Sequence, residues 1–83
     1  METIKQGTYI VCLFKGNPVV KFNSKKIILN TGGWFTYVTK KRMNEVSNNF
    51  GLGFSVFQRK GEWIVDYKGE WLHMTGNTLT LRR

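Results

Sequence analysis

The sequence is poor in the side chains that most enzymes use for catalysis or metal binding. It contains one cysteine, one histidine and one aspartate, which are Cys12, His73 and Asp66. A single cysteine excludes a disulfide within the chain, and its place in an apolar, strand-like run predicts a buried, unreactive thiol. The spacing of these residues indicates neither a metal site nor a nucleophile–base pair. We therefore expect a non-enzymatic protein without catalytic residues, metal or cofactor.

Long apolar segments are also missing. No run approaches the roughly 20 residues that a membrane-spanning helix needs. The first residues, Met-Glu-Thr-Ile-Lys-Gln, lack the charged-then-apolar pattern of a secretion signal. We expect a soluble, cytoplasmic protein that has no membrane partner.

Acidic residues are scarce as well. The 83 residues include five Asp and Glu and 13 Lys and Arg, and the formal net charge is +8. Residues 1–44 hold eight of the cations with one acid, whereas residues 45–83 hold five cations with four acids. This asymmetry makes a one-sided basic surface possible and argues against an evenly charged shell, and whether the basic residues share one face depends on the fold. The length suits one domain, residues 1–83, with a thin core.

One segment has a helical pattern. Its apolar residues have the i, i+3, i+7 spacing of a single helix face: Met43, Val46 and Phe50. Thr36 and Thr39 are both suitable N-caps, and Gly51 suits the position after the last turn. The pattern predicts a helix over about residues 37–50.

The sequence on both sides of this helix is of β type. Residues 8–14, 19–22 and 26–30 form apolar runs separated by turn residues, the first turn being residues 15–18. After the helix, strands are predicted at 54–59 and 78–82, and Lys-Gly-Glu-Trp occurs twice, eight residues apart. This repeat is typical of a β-meander with tight turns. We predict an α+β fold in which the helix packs on a curved antiparallel sheet with a C-terminal β-meander.

Three consecutive cations, Lys40, Lys41 and Arg42, fall in the first two turns of the predicted helix. The helix macrodipole makes a cation in the terminal turn unfavourable by roughly 0.3–1 kcal/mol. In one interpretation these side chains are simply solvated on the outer face. In the other they form an anion site, together with free helix N–H groups and the hydroxyls of Thr36 and Thr39.

Aromatic residues interleave with these cations, which favours a nucleic-acid partner. Cations replace the counterions of the phosphates, and exposed rings can stack on the bases of single strands. Lys25 and Lys26 would extend the cationic surface. The predicted nucleic-acid or anion site consists of Lys25, Lys26, Trp34, Thr36, Thr39, Lys40, Lys41 and Arg42. The sequence does not distinguish DNA from RNA, or single from double strands.

The stretch ILNTGGWFTYVTKKRMN, followed by FGLGFSVFQRKGEWIV, is similar to a family of small bacteriophage-encoded proteins. The shared pattern is a Gly-Gly-Trp turn, a helix start resembling T-T-K-x-R-M-N and a V-x-Q-x-K-G-E-W hairpin, over roughly residues 27–65. Val38 stands where that pattern often has threonine, which weakens the case for a hydroxyl cluster. The resemblance implies a phage protein in the host-cell cytoplasm and no particular mechanism. Small proteins of this setting tend to bind nucleic acid or to inhibit a host protein.

Three hypotheses follow. The first is a basic accessory protein that binds nucleic acid through the phosphate backbone. The second is an interaction protein that docks on an acidic surface of a host enzyme or defence protein and inhibits it. The third is a structural or packaging component whose charge serves assembly. The oligomeric state is left open.

Overall fold

The chain forms eight β-strands and one α-helix in the computed structural model, which describes residues 2–83. In chain order the elements are β1 (Glu2–Gln6), β2 (Tyr9–Phe14), β3 (Asn17–Phe22), β4 (Lys26–Asn30), α1 (Tyr37–Phe50), β5 (Phe54–Arg59), β6 (Glu62–Tyr67), β7 (Glu70–His73) and β8 (Thr78–Arg82). The α+β class is confirmed, and the helix has the predicted bounds. It ends at Gly51, whose left-handed conformation (φ 62°, ψ 39°) favours glycine.

The strands divide into two antiparallel sheets, where the sequence had suggested one curved sheet. The large sheet has the order β1-β2-β3-β4-β8, and the small sheet has the order β5-β6-β7. The C-terminal meander therefore comprises β5 to β7. Strand β8 leaves it and pairs with β4, so that Leu79 lies opposite Leu29. Local sequence patterns identify strands but do not determine which distant strand they pair with.

Two features of the large sheet differ from the predictions. Strand β1 was not predicted, because its side chains are all exposed and form no apolar pattern. The turn after β2 is shorter than residues 15–18, since only Lys15 and Gly16 form it, with φ of 52° and 78°. Pro18 belongs to β3 and lies opposite Leu13, where the pairing register shifts. A β-bulge disrupts the hydrogen-bond ladder locally and tolerates a residue without an N–H group.

Lys-Gly pairs also form both turns of the meander. Lys60-Gly61 has φ of 51° and 79°, and Lys68-Gly69 has φ of 53° and 80°. Two successive residues with positive φ are typical of the type I′ turn, whose twist matches that of the flanking strands. The predicted hairpins at the repeated motif are confirmed.

The helix packs between the two sheets, against β5 on one side and against β2 and β3 on the other. Met43 and Val46 are fully buried, as the predicted stripe requires. Phe50 is not: it remains 41% exposed, and its ring packs on Phe22 with 5.0 Å between the ring centroids. The buried face is completed by Ser47 and Thr39: the Ser47 hydroxyl donates to the Phe54 carbonyl of β5, and the Thr39 hydroxyl is hydrogen-bonded to that of Thr36.

Both sheets and the helix contribute to one core. Its fully buried side chains include Cys12, Val20, Ile27, Leu29, Met43, Val46 and Val65. Burial of a large aliphatic side chain contributes about 1.5–3 kcal/mol. The helix therefore has a fixed position relative to both sheets, and the surface around its first turn is defined by that position.

Candidate nucleic-acid interface

Thr36 is the N-cap of α1. Its backbone is extended (φ −116°, ψ 161°), and its Oγ1 accepts a hydrogen bond from the Thr39 N–H at 3.3 Å. The hydroxyls of Thr36 and Thr39 lie 3.1 Å apart. Thr39 is only 1% exposed, whereas Thr36 is exposed. A ligand at this end of the helix therefore meets Thr36 and the cations, and the hydroxyl of Thr39 is occupied within the fold.

Lys40 extends from the helix towards the small sheet. Its Nζ donates to Oε1 of Gln58 at 3.0 Å and lies 5.4 Å from the centroid of the Trp63 ring. The lysine therefore packs along β5 and β6 and remains half-buried. Its charge stays at the surface of the groove between the helix and β5.

Arg42 extends towards the large sheet. Its guanidinium carbon lies 5.4 Å from the centroid of the Phe14 ring, and its Nη1 forms an ion pair with Glu45. Lys41, between Lys40 and Arg42 in sequence, is exposed. Consecutive helix residues are about 100° apart around the axis, so the three cations point in different directions. They surround the first turns of the helix without converging on one point.

A cleft of about 330 Å³ lies between this helix end and the β2–β3 turn, and we call it the Trp34 cleft. Residues that line it include Phe14, Lys15, Val19, Trp34, Thr36 and Val38. Its walls are mainly apolar, and Lys15 contributes the one charged side chain among the described residues that line it. The Nζ of Lys15 lies 5.6 Å from the centroid of the Phe14 ring.

The loop that carries Trp34 is held by hydrogen bonds at its base. The Thr31 N–H donates to the Asn77 carbonyl at 2.8 Å, and the Trp34 N–H donates to the Thr31 carbonyl at 3.0 Å. The Gly33 N–H donates to Oγ1 of Thr31 at 3.1 Å. This ordered loop leaves the indole of Trp34 67% exposed.

A second groove, of about 460 Å³, lies on the other side of the helix start, and we call it the Tyr37 groove. Its lining includes Tyr37, Lys40, Lys41, Asn44, Phe57 and Gln58. Tyr37 is 72% exposed. Each groove thus combines at least one cation with an exposed aromatic ring, and the first turns of α1 separate the two grooves.

The charge at this end is strongly positive. The cations there are Lys15, Lys40, Lys41 and Arg42, which we call the helix-start cations. Glu45 is the one carboxylate among the described lining residues of both grooves, and it is paired with Arg42. The first turn of α1 carries no acidic residue. An anion bound here would therefore meet a favourable potential from the side chains and the helix terminus.

Lys25 and Lys26 lie elsewhere. Lys26 begins β4 and Lys25 directly precedes it, whereas the Trp34 loop follows the end of this strand, and five strand residues span roughly 13 Å. The Arg83 N–H donates to the Lys25 carbonyl at 2.9 Å, and Nζ of Lys68 donates to the Arg82 carbonyl at 3.3 Å. Together these exposed residues form what we call the distal basic cluster: Lys25, Lys26, Lys68, Arg82 and Arg83. The predicted extension of the helix-start site through Lys25 and Lys26 is not contiguous in the fold.

The sequence did not identify Phe14 of β2, Lys15 of the β2–β3 turn or Phe57 of β5 as part of the site. They line the grooves because α1 packs against both sheets, a contact that no local pattern encodes. The one signal in the sequence that could have indicated these residues is Lys15, a cation in a tight turn directly after an aromatic residue.

Cys12 lies buried in β2, away from both grooves. Burial raises the pKa of the Cys12 thiol, and a hydrogen bond with Thr3 opposes this only in part. Within residues 2–83, no three His, Cys, Asp or Glu side chains group as a metal site. The helix that the structure describes is not long and apolar enough to cross a membrane.

Comparison with known proteins places the chain in a phage lineage. The Kyanoviridae Gp96 protein family matches residues 1–80, which is nearly the whole sequence. No curated protein and no solved structure matched the chain. The chain therefore belongs to the Kyanoviridae Gp96 protein family, a family of phage proteins.

Proposed function

We propose that this phage protein is a non-enzymatic accessory protein that binds nucleic acid through the phosphate backbone. The observation that carries the proposal is the position of the helix-start cations, which flank two grooves with exposed aromatic rings. Each cation that replaces a counterion on a phosphate adds salt-sensitive affinity. The site comprises the helix-start cations with Trp34, Tyr37 and Thr36.

Lys40 and Lys41 are placed so that their charge is available, whereas Arg42 is paired with Glu45. Lys40 and Arg42 pack on rings of the two sheets, which orders their stems without neutralising Lys40. Lys41 is exposed and makes no side-chain hydrogen bond or ion pair with residues 2–83. It is therefore the cation whose removal should alter binding with the least effect on stability.

The experiment is fluorescence anisotropy with labelled single-stranded DNA, duplex DNA and RNA at several salt concentrations. The variant is Lys40→Ala/Lys41→Ala, and the matched control is Lys25→Ala/Lys26→Ala in the distal basic cluster. Wild-type affinity should fall log-linearly with salt, and the slope should fall by about one to two in the helix-start variant. The control should keep most of the wild-type slope.

Two results would contradict the proposal. If the slope falls only in the control, phosphates bind at the distal basic cluster. If no nucleic acid binds even at low salt, the protein does not act on nucleic acid. A stoichiometric complex with one acidic host protein would then support the alternative, an inhibitor that docks through the same cations.

A further inference from the structure

Trp34 differs from the other two tryptophans in having no aromatic or cationic partner among residues 2–83. Trp63 is 5% exposed and lies against Phe35, with 5.1 Å between the ring centroids. Trp71 lies against Phe57 at 5.2 Å, with the Arg59 guanidinium 5.3 Å from its ring. The Trp34 indole makes no such contact with any residue in 2–83 and is 67% exposed.

The cleft next to this indole has the size and character of a binding site for one planar group. Its volume of about 330 Å³ lies at the small end of the range for ligand pockets, about 300–1,000 Å³. Phe14, Val19 and Val38 provide apolar walls, and Trp34 forms one side. A flat, weakly polar ring fits these surroundings better than a charged group does.

Two cations lie near the ring of Phe14, which lines this cleft. Nζ of Lys15 and the guanidinium carbon of Arg42 lie 5.6 Å and 5.4 Å from the Phe14 centroid. A planar group in the cleft would thus have positive charge nearby. This combination of an aromatic face and flanking cations matches a nucleotide, whose base is planar and whose phosphates are anionic.

We propose that the Trp34 cleft holds one unpaired base stacked on Trp34, so that the ligand is a single strand. This inference rests on the proposed function and specifies its substrate class. In a duplex each base is stacked and paired, and it must leave the helix to enter a pocket. A single strand presents its bases without that cost.

The test compares a single strand with a duplex of the same length, using wild type, Trp34→Ala and Trp34→Phe. Trp71→Ala is the matched control, because it removes an exposed tryptophan from the small sheet. Circular dichroism melting verifies that each variant is folded. Loss of one stacked base by alanine substitution should weaken single-strand binding about five- to 150-fold. Trp34→Phe should retain most of the affinity.

The salt slope separates this inference from the proposed function. Trp34→Ala removes no charge, so the salt dependence of its binding should have the same slope as that of wild type. Its affinity for the single strand should fall, whereas its affinity for the duplex should not change. Two results would contradict the stacked base but not the phosphate contacts. In the first, Trp34→Ala binds both ligands as wild type does, with the same salt dependence. In the second, Trp34→Ala weakens binding of the single strand and of the duplex equally. Absence of binding to every nucleic acid would overturn both.

Discussion

Asn44 holds both backbone groups of Val56. Its Oδ1 accepts a hydrogen bond from the Val56 N–H at 2.7 Å, and its Nδ2 donates to the Val56 carbonyl at 2.9 Å. One turn further along the helix, Ser47 does the same for Phe54. Strand β5 is at the edge of its sheet, and helix side chains thus satisfy backbone groups that a neighbouring strand would otherwise bind.

Replacing Asn44 with alanine should destabilise the protein. The change leaves the Val56 N–H and carbonyl without partners, which costs about 1–3 kcal/mol for a buried group. Asn49→Ala is the matched control on the exposed part of the same helix, and it should be neutral or slightly stabilising because alanine has the higher helix propensity. Urea denaturation measures both free energies of unfolding, and equal values for the two variants would contradict the role of Asn44.

Ser47→Ala should have a local signature in hydrogen exchange. Ser47 Oγ accepts from the Phe54 N–H at 3.0 Å, so its loss should accelerate exchange of the Phe54 amide under native conditions. Asn44→Ala should instead accelerate the Val56 amide. Exchange measured by NMR residue by residue distinguishes the two, and equal acceleration of both amides in either variant would mean that β5 detaches as a unit.

Gly32→Ala should destabilise more than Gly51→Ala, although both glycines have φ of 62°. At Gly51 an added Cβ meets no atom within 4 Å, so the cost is the left-handed conformation alone, about 1–2 kcal/mol. At Gly32 it would lie 2.6 Å from the Asn17 side chain, which donates to the Asn30 carbonyl. The comparison is made by thermal or urea denaturation. Adding Asn17→Ala should reduce the excess cost of Gly32→Ala, and an unchanged excess would exclude the clash.

Thr36→Asp should separate stability from binding. Aspartate is as good an N-cap as threonine, and its charge at the helix start should stabilise by about 0.3–1 kcal/mol. The same charge should repel a phosphate and weaken nucleic-acid binding by about 1 kcal/mol, or roughly fivefold, at low salt. Thr36→Ser is the neutral control. A destabilised Thr36→Asp variant would contradict the expected gain at the helix N-terminus, and an unchanged affinity would contradict the phosphate site around this cap.

Cys12 should make stability fall at alkaline pH. Burial raises the pKa of its thiol in the folded state, so the folded protein holds the proton more tightly than the unfolded chain does. This contribution is present below the ordinary cysteine pKa of about 8.5 and is lost as the pH rises towards the raised value. The difference in unfolding free energy between wild type and Cys12→Ala, measured from pH 7 to 10, should shrink with pH. A constant difference would contradict the shifted pKa.

Local features were the part of the fold that the sequence could predict. The helix bounds follow from Thr36 and Gly51, because a cap and a left-handed residue are properties of a few neighbouring positions. Strand β8 was also predicted, but its partner β4 was not, since pairing depends on the whole sheet. Strand β1 was missed because it is held by pairing with β2 and not by burial of its own side chains.

The candidate site divides in the same way. Lys40, Lys41 and Trp34 are recognisable as cations and an aromatic residue near a helix start. Their separation into two grooves follows from packing of α1 against both sheets, which brings in Phe14 from a distant strand. The distance of Lys25 from this site depends on the direction of β4. Local sequence patterns could not predict that distance either.

The return of β8 to β4 has a consequence for the order in which the protein folds. Leu79 pairs with Leu29, so the β4–β8 ladder joins two chain segments that are separated in sequence by the helix and the meander. Strands β5 to β7 are joined by tight turns and close through short loops, whereas the β4–β8 ladder closes a long one. We therefore expect the β5–β7 meander to form before the β4–β8 ladder, which completes the large sheet.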